Sequence, residues 1–466
     1  MKRITTFALL AILFATACRK IEVDGSPNNS SSSPTENTIL EGRITSNRTL
    51  TANNIYKLRG LVYVTNGAIL TIEPGTKIVG EAGRNGGLII TRSSKIIADG
   101  TPDRPIVFTS ESPNPTRGDW AGLVLLGNAP TNASFNGVAG VGEIEGGINN
   151  SDGLGLYGTP ATQAQNPADN SGILRYVRIE YAGYAFLPDK EINGLTFGGV
   201  GNQTIVDYVQ VSYANDDSFE WFGGTVNCKH IIAYKGLDDD FDTDNGFSGK
   251  VQYAIGFRDS SIADISGSNG FESDNDAAGS STLPQTAAVF SNVTLVGPKA
   301  TLSNVGNSNF KRGIHMRRNS SISVFNSIIM GWPVGILVDA TTGTATDLNL
   351  IGITPKATYA NNIIAGNKTQ LTYSASLSAA TGWNTDSLTN YINNKGNALL
   401  TNNSDVQLMD PFKYDNTVDF NPSNTSPALT GASFSNVKLA TWFTATSYRG
   451  ACDGADAWWK SWTNFK

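Results

Sequence analysis

The sequence predicts an all-β fold, a parallel β-helix solenoid with long loops and an aromatic C-terminal cap. Short apolar segments recur along the chain, a second set of β-branched strands recurs between them, and Gly, Asn or Asp closes most of both sets. Such strands cannot bury their apolar faces alone, whereas stacking them coil upon coil builds one continuous core. Beyond the first residues, no segment shows a long helical periodicity.

Residues 1–17 have the layout of a secretory signal peptide. Lys2 and Arg3 precede the run ITTFALLAILFATA, which is too short to be read as a membrane-spanning helix and ends directly before Cys18. The ATAC ending resembles a bacterial lipobox and predicts lipidation of Cys18, with cleavage by an ordinary signal peptidase as the alternative. Residues 18–38, which contain SPNNSSSSPTEN, are predicted to form a lipidated flexible tether.

The remaining chain divides according to the density of its strand patterns. A solenoid must cover its open end, and the tail ATWFTATSYRGACDGADAWWKSWTNFK is rich in aromatic residues that could do so. The predicted parts are an N-terminal cap with the first coils (39–110), a loop-rich insertion (111–172), the central β-helix coils (173–370), and the C-terminal coils and cap (371–466).

Six short stretches align as successive coils of the predicted solenoid. They are NGLTF (193–197), DSFEW (217–221), DDFDT (239–243), NGFES (269–273), RGIHM (312–316) and VGILV (334–338). Their central apolar residues are Leu195, Phe219, Phe241, Phe271, Ile314 and Ile336. These centres are 24, 22, 30, 43 and 22 residues apart, so the shortest step is one coil and the longer steps hold loops.

A second strand recurs between these stretches. Its copies are VDYVQVSY, CKHIIAYK, VQYAIGFR, FSNVTLVG, VFNSIIMG and YANNIIAG, which are rich in β-branched and aromatic residues. Asn292, Asn326 and Asn362 stand before apolar runs, as in the inward-turn asparagine ladders of such solenoids. His230 is aligned with Val209 and is therefore predicted to be a buried, hydrogen-bonded histidine.

Six segments taken together resemble a known family. They are YKLRGLVYVTNGAILTIEPGTKIVGE (56–81), GDWAGLVLLGNAP (118–130), LRYVRIEYAG (174–183), NDDSFEWFGGTVN (215–227), SNGFESDND (268–276) and the closing WWKSWTNF. The combination resembles exported Bacteroidota lipoproteins with a right-handed parallel β-helix of pectate-lyase-like shape, most of them without an assigned function. The resemblance implies a surface role in binding or processing, often beside outer-membrane uptake systems, and it supplies no catalytic residues.

The aligned coils place acidic residues in one outward-facing row. Side chains alternate along a strand, so the neighbours of each inward-pointing central residue point outward. The position after the centre carries Thr196, Glu220, Asp242, Glu272, His315 and Leu337, and two positions further lie Gly198, Phe222, Asp244, Asp274, Arg317 and Asp339. Stacked strands are about 4.8 Å apart, where carboxylates repel by about 1 kcal/mol or more per pair unless a cation or a base relieves them.

Three interpretations of this row are open. In the first, the acids lie at exposed coil edges and serve solubility and turn formation. In the second they hold Ca²⁺, which takes about six to eight oxygen ligands. The candidate ligands are Asp240, Asp242, Asp244, Glu220 and Glu272. The stretch DFDTDNG superficially resembles a calcium loop, but Gly246 comes one position late and Val251 stands at position twelve, so any calcium would be held across coils.

The third interpretation is a polysaccharide active site, which the family resemblance suggests. Pectate-lyase-like enzymes use calcium-binding acids with a basic residue as proton abstractor, and related hydrolases use clustered aspartates as acid and base. The residues that would bind sugar or metal are Glu220, Phe222, Asp242, Asp244, Glu272 and Asp274. The candidate bases are Arg317, His315 and Lys311. With two histidines in the whole chain, a histidine-rich metal site is excluded.

These observations favour a lipid-anchored outer-membrane protein, at the cell surface or the periplasmic face, that binds a glycan or other extracellular polymer, with calcium as a candidate cofactor. A polysaccharide lyase or glycoside hydrolase of the same fold is the alternative, and a structural accessory subunit of an outer-membrane transporter is the third hypothesis. Nucleic acid is not expected as a partner, because the formal net charge is −6 and the basic residues are scattered.

Overall fold

The computed structural model describes residues 37–187, 190–304, 306–376 and 382–466. Residues 38–466 belong to one compact unit. The predicted signal peptide, the lipidation site Cys18 and nearly all of the tether lie outside the described residues. Among the helices in the described ranges, none combines the length and the apolar character needed to cross a bilayer.

Short strands dominate the first half of the chain, as the spacing of β-branched residues and turn residues predicts. They are β1 Ile39–Ile44, β2 Arg48–Leu50, β3 Ile55–Val64, β4 Ile69–Ile72, β5 Lys77–Gly80, β6 Gly87–Ile90, β7 Lys95–Asp99, β8 Ile106–Ser110, β9 Gly122–Leu126, β10 Ser134–Phe135, β11 Val138–Ala139, β12 Val141–Glu143, β13 Leu156–Gly158, β14 Gly172–Glu180, β15 Ala185–Leu187, β16 Lys190–Glu191, β17 Leu195–Gly198 and β18 Ile205–Ser212.

The second half continues in the same way and includes one α-helix. Its strands are β19 Phe219–Phe222, β20 Asn227–Tyr234, β21 Phe241–Asp244, β22 Lys250–Phe257, β23 Phe271–Ser273, β24 Val289–Val296, β25 Arg312–Met316, β26 Ser323–Phe325, β27 Ile328–Met330, β28 Val334–Ala340, β29 Tyr359–Ala360, β30 Ile363–Ala365, β31 Thr369–Ala375, β32 Ala398–Leu400, β33 Leu408–Asp410 and β34 Asp419–Pro422. The helix α1 covers Thr385–Asn393, and 3₁₀ turns cover Thr346–Asn349, Asn403–Val406, Pro427–Leu429 and Val437–Leu439.

In the described part of the chain, 26 strands join one sheet that winds as a parallel solenoid. Its pairings form three ladders, here called walls A, B and C. Wall A contains β1, β3, β6, β9, β17, β19, β21, β23, β25, β28 and β31. Wall B runs from β2 to β29, and wall C runs from the start of β1 to β32. The prediction of a parallel β-helix is therefore confirmed.

The predicted register of the coils is also confirmed. On wall A, Leu195 pairs with Phe219, Phe219 with Phe241, Phe241 with Phe271, and Phe271 with Ile314. All five side chains are fully buried. The ring centroids of Phe219 and Phe241 are 5.7 Å apart, and those of Phe241 and Phe271 are 5.4 Å apart. These rings form the central column of the core, and each buries apolar surface against the coils above and below it.

A column of residues in the left-handed backbone region makes the corner between walls B and C. The strands β14, β18, β20, β22 and β24 bend at this corner and contribute to both walls. The corner residues have φ values between 48° and 63°, a conformation that most side chains avoid. In coil order they are Tyr176, Tyr208, His230, Tyr253, Asn292, Asn326 and Asn361.

Two expectations about this corner are wrong in detail. His230 lies beside Tyr208, not beside Val209, and its ring stacks on Tyr208 at 4.3 Å and on Tyr253 at 4.9 Å. It is half-buried, and its Nδ1 lies 2.7 Å from Asp207 Oδ1. In the asparagine ladder, Asn361 and not Asn362 occupies the corner position, because Phe325 pairs with Ala360 and the residue after each of them makes the turn.

The segment predicted as a loop-rich insertion supplies β9 to wall A and then two small hairpins, β10–β11 and β12–β13. Tyr157 and Ile144 of this segment pack with Val124 and Ile192 over the outward face of wall A. This cover leaves Thr196 only 1% exposed. Glu220 on the next strand, β19, is also buried, and the outward row first becomes partly exposed at Asp242 on β21.

The C-terminal segment differs from the expectation of an aromatic cap. Leu388 and Ile392 of helix α1 insert into the main core, so α1 covers that core beside β31. The aromatic tail lies along the flank formed by walls B and C. Its contacts include Gly450 with Asn326, Thr444 with Gln252, Trp458 with His230, and Asn464 with Gln210.

Candidate functional site

The predicted row of polar side chains is present on the outward face of wall A. Glu220 pairs with Asp242, Asp242 with Glu272, and Glu272 with His315, each on adjacent strands from β19 to β25. The inward Phe of each strand fixes this orientation, because alternation sends the following residue outward. The same register puts Asp244 beside Phe222 two positions further along.

A second acidic column, which the sequence analysis did not identify, runs beside this row. It occupies the position two residues before each central apolar residue and contains Asn193, Asp217, Asp239 and Asn269. The backbone N–H of Asp217 donates to Asn193 Oδ1 at 3.2 Å, that of Asp239 to Asp217 Oδ1 at 2.7 Å, and that of Asn269 to Asp239 Oδ1. The signal in the sequence is the acidic doublet upstream of the central Phe in both NDDSF and DDDF.

The two columns bring carboxylates into three overlapping groups. Within each group, one oxygen from each of three acids lies within 4.8 Å of the others. The groups are Asp216, Asp217 and Asp238; Asp217, Glu220 and Asp242; and Asp239, Asp242 and Glu272. A cavity of about 160 Å³ opens onto them, lined by Asp217, Asp238, Asp239, Asp242, Ser266, Gly267, Glu272 and Arg317. Asp242 belongs to two of the groups and also faces the cavity.

Burial and mutual repulsion favour the neutral form of most of these acids. Burial, followed by the nearby carboxylates, raises the pKa of Glu220, Asp217, Asp239 and Asp242 well above the usual range. Burial raises the pKa of Asp238 to about 6. Unless a cation is bound, the site therefore opposes the simultaneous ionisation of its acids.

Glu272 is the exception, because it lies next to the basic end of the row. Burial acts to raise its pKa, but His315 and the charge of Arg317 hold that pKa below the ordinary value. Arg317 forms an ion pair with Glu272 and donates to Asp274 from Nε at 2.7 Å and from Nη2 at 3.0 Å. Arg318 donates to Asp274 at 2.8 Å. The row therefore has carboxyls with raised pKa values at the end that contains Glu220 and Asp242, and ion-paired side chains at the end that contains Glu272 and Arg317.

The three candidate bases are placed differently. Arg317 lines the cavity, but its ion pairs raise the pKa of its guanidinium further, which makes it a poor proton acceptor. His315 is 4% exposed and lies between Glu272 at 3.4 Å and Asp339 at 3.3 Å. Lys311 packs against Gly267 at the edge of the cavity and donates to Ser308 O at 3.2 Å. These contacts suit Arg317 for binding an anionic group better than for removing a proton.

Asp240 does not join the outward row, and its prediction as a metal ligand is wrong. Strand β21 begins at Phe241, so the alternation does not extend back to Asp240. Its carboxylate is fully buried and accepts a hydrogen bond from Arg258 at 2.8 Å. Asp244 does lie on the outward face, but outside the three groups, and burial followed by repulsion from Asp274 raises its pKa to about 8.

Phe222 also lies where the register predicts, but it is only partly exposed. Its ring packs at 6.1 Å from Tyr157 of the insertion and joins the cluster that covers the first coils. It therefore belongs to the cover over the first coils and is not a free stacking platform.

The donor set fits a hard cation. It consists of carboxylate oxygens, the ligands that Ca²⁺ prefers. Asp242 Oδ1 and Asp238 Oδ1 are inaccessible to solvent and have no hydrogen-bond partner among the described residues. Buried acceptors without a donor are costly, and a bound cation would satisfy them. The acidic clusters could therefore hold a metal ion.

Comparison with known proteins agrees with this architecture. A family model described as a pectate-lyase-like β-helix domain matches residues 42–463, nearly the whole of the described chain. No curated protein matches the sequence. Because the match covers far more than half of the 466 residues and the coils are present as described, the chain belongs to the pectate-lyase-like β-helix domain family.

Proposed function

We propose that this protein binds an extracellular glycan on the outward face of wall A, with a calcium ion held among the acids from Asp217 to Glu272. The observation that carries the proposal is the pair of adjacent acidic columns, whose carboxylate oxygens approach within 4.8 Å and open onto one cavity. Membership of a pectate-lyase-like family supports a carbohydrate-related role.

Each part of the site contributes to binding in a different way. Calcium, when bound, would neutralise the carboxylates and offer coordination positions to sugar oxygens. The carboxylates of Asp217 and Asp239 each accept a hydrogen bond from a backbone N–H group of the next coil. These bonds fix the two side chains, so their second oxygens are held in place. Arg317 sits at the far side of the cavity, where its guanidinium can donate to an acidic or hydroxyl group of the ligand.

Titration calorimetry with calcium and a screen of glycan arrays, with and without calcium, test the proposal. Asp242→Asn removes one of the two carboxylates that are each shared by two groups, and it should weaken calcium binding about tenfold or more, because affinity follows the number of charged ligands. Asp244→Asn is the matched control, since it removes a carboxylate from the same strand and face but from outside the groups. Equal effects of the two substitutions, or no polymer bound with or without calcium, would count against the proposal.

A glycoside hydrolase is the second candidate, because the pKa values of two facing carboxyls are driven apart. Burial and the neighbouring carboxylates raise the pKa of Asp242, which favours the neutral form that a general acid needs. His315 and Arg317 hold the pKa of Glu272 below its ordinary value, which favours the ionised form that a nucleophile or base needs. Incubation with polysaccharides followed by assay of new reducing ends separates this function from binding alone. Ultraviolet absorption by an unsaturated product would instead indicate a lyase.

We also propose that the protein is exported and anchored to the outer membrane through Cys18, beside an uptake transporter. The signal-like segment and the lipobox-like ending before Cys18 support this proposal. Labelling of cells with a fatty-acid analogue should mark the wild-type protein but not Cys18→Ser. Co-purification of the native protein would show whether a transporter accompanies it. Labelling that persists in the variant would contradict the anchor.

A further inference from the structure

A cavity of about 490 Å³ lies at the corner between walls A and B. It spans three successive coils, because its floor comes from the turns after β3, β6 and β9. The insertion residues Asp152 and Leu154 form its roof. None of the acids of the two columns lines it.

Arg92 is the cationic side chain in the lining of this cavity, and no described residue forms an ion pair with it. The guanidinium is half-buried and donates to the carbonyl oxygen of Gly158 at 3.2 Å. Burial lowers the pKa of Arg92, and no charge of a described neighbour offsets that effect. Asp152 at the rim is engaged by Arg43, so the cavity keeps a net positive charge from Arg92.

The rest of the floor is polar but neutral. Thr65 and Thr91 contribute hydroxyls, of which that of Thr91 donates to Val64 O at 2.8 Å. Asn66 and Asn128 contribute amides, and the Asn128 side-chain nitrogen donates to Asp169 Oδ1 at 3.2 Å, so the side-chain carbonyl oxygen of Asn128 is the group that can accept from a ligand. The Thr65 hydroxyl donates to Asn66 Oδ1 at 3.1 Å, which leaves the Asn66 amide nitrogen to donate elsewhere. A desolvated guanidinium surrounded by uncharged hydrogen-bonding groups can recognise an oxyanion and the hydroxyls next to it.

We propose that this cavity is a second ligand site, which binds an oxyanion carried on a small hydroxylated molecule, with Arg92 holding the anion and Asn66 and Asn128 contacting the hydroxyls. Sulfated, phosphorylated and carboxylated sugars share this chemistry. The site does not depend on calcium or on the acidic row, so its existence can be tested independently of the proposed glycan site.

Titration calorimetry at low ionic strength in a chelating buffer tests the site, with sodium sulfate, phosphate and gluconate as the probes. We expect at least one probe to bind the wild-type protein and the tightest of the three to identify the anion. Arg92→Gln should weaken that binding about tenfold or more, since a charge-assisted contact is lost. Arg92→Lys keeps the charge but not the planar fork, so it should retain only part of the affinity.

Two controls make the result decisive. Arg104→Gln removes the same charge from an exposed position in another turn and should leave binding unchanged. Asp242→Asn, which alters the acidic site, should also leave it unchanged. Thermal unfolding of each variant shows whether the fold is intact. Absence of binding by all three probes, or equal losses in Arg92→Gln and Arg104→Gln, would overturn the proposal.

Discussion

Asp240 and Arg258 form an ion pair in the interior with both side chains fully buried. Asp240 Oδ2 and Arg258 Nε have no hydrogen-bond partner among the described residues, and the guanidinium lies 5.1 Å from the ring centroid of Phe310. The sequence places Asp240 among five closely spaced aspartates, where alternation alone assigns it to the outward face. Its real partner is 18 residues further along, and no local pattern indicates that pairing.

Replacing Asp240 with Ala should lower the free energy of unfolding by about 3–5 kcal/mol, because it leaves a buried guanidinium without a counter-charge. Chemical denaturation measures this loss. The double variant Asp240→Leu with Arg258→Met removes both charges and should recover most of the stability. If Asp240→Ala unfolds at the wild-type denaturant concentration, the pair is not formed as described.

Asp339 is expected to make stability depend on acid pH. The side chain is partly buried, but hydrogen bonds from His315 and Thr341 outweigh that burial and lower its pKa to about 2, against 3.8 in an unfolded chain. A lowered folded pKa contributes stability above the unfolded pKa, and that contribution is lost as the pH falls towards 2. It amounts to about 2 kcal/mol.

Asp339→Asn should therefore be less stable than wild type at pH values above about 5, and the difference should vanish as the pH approaches about 2. Unfolding curves of both proteins across this range measure the gap directly. A gap that stays constant with pH would show that the carboxylate is not selectively stabilised in its ionised form.

At the scale of strands and turns, the sequence predicts most where alternation and stacking act together. The spacing of Phe219, Phe241 and Phe271 is sufficient to give the register of wall A, and with it the positions of Glu220, Asp242 and Glu272. The column of Asp217 and Asp239 lies in the turns before these strands, where side-chain direction follows no period. Its carboxylates could be placed only once the backbone hydrogen bonds between coils were known.

The corner column offers a test of how turns are stabilised. Asn326 has a φ of 52° and is fully buried, and its amide donates to Ser291 Oγ and to Ser433 O. Asn326→Gly loses these hydrogen bonds but adopts the left-handed backbone without strain. Asn326→Ala loses the hydrogen bonds and is also strained in that backbone conformation. The alanine variant should be less stable than the glycine variant by about 1 kcal/mol, as measured by chemical denaturation. Equal stability would mean that the left-handed backbone carries no cost here.

At the scale of the whole molecule, the C-terminal tail joins coils that are not neighbours. It contacts residues of six successive coils, from Tyr176 on β14 to Asn326 after β26. The sequence indicates that the tail is aromatic and packed, but not which surface it covers. Both the end and the flank of a β-helix offer apolar and backbone groups, so composition does not distinguish between them.

Removal of residues 453–466 should uncover the Tyr176, Tyr208 and Tyr234 rings and lower the melting temperature. Solenoid coils couple mainly to their neighbours, so loss of a segment that bridges many of them should also broaden the transition or split it into two. Differential scanning calorimetry of the full chain and the truncated chain tests this. A control that removes one flank contact, Tyr213→Phe, deletes the hydroxyl that donates to the backbone carbonyl of Lys466 and should leave the transition sharp. An unchanged single transition in the truncated chain would contradict a bridging role.

The tail also limits how this protein can change in length during evolution. A repeat array normally gains or loses whole units by duplication or deletion with little penalty, because each unit fits any neighbour. Here, deleting one unit would displace everything beyond it by about 4.8 Å relative to the returning segment. Asn464 and Gln210, or Tyr448 and Asn292, could then no longer meet simultaneously. We therefore expect orthologues that keep this tail to keep the same number of turns and to vary in their loops.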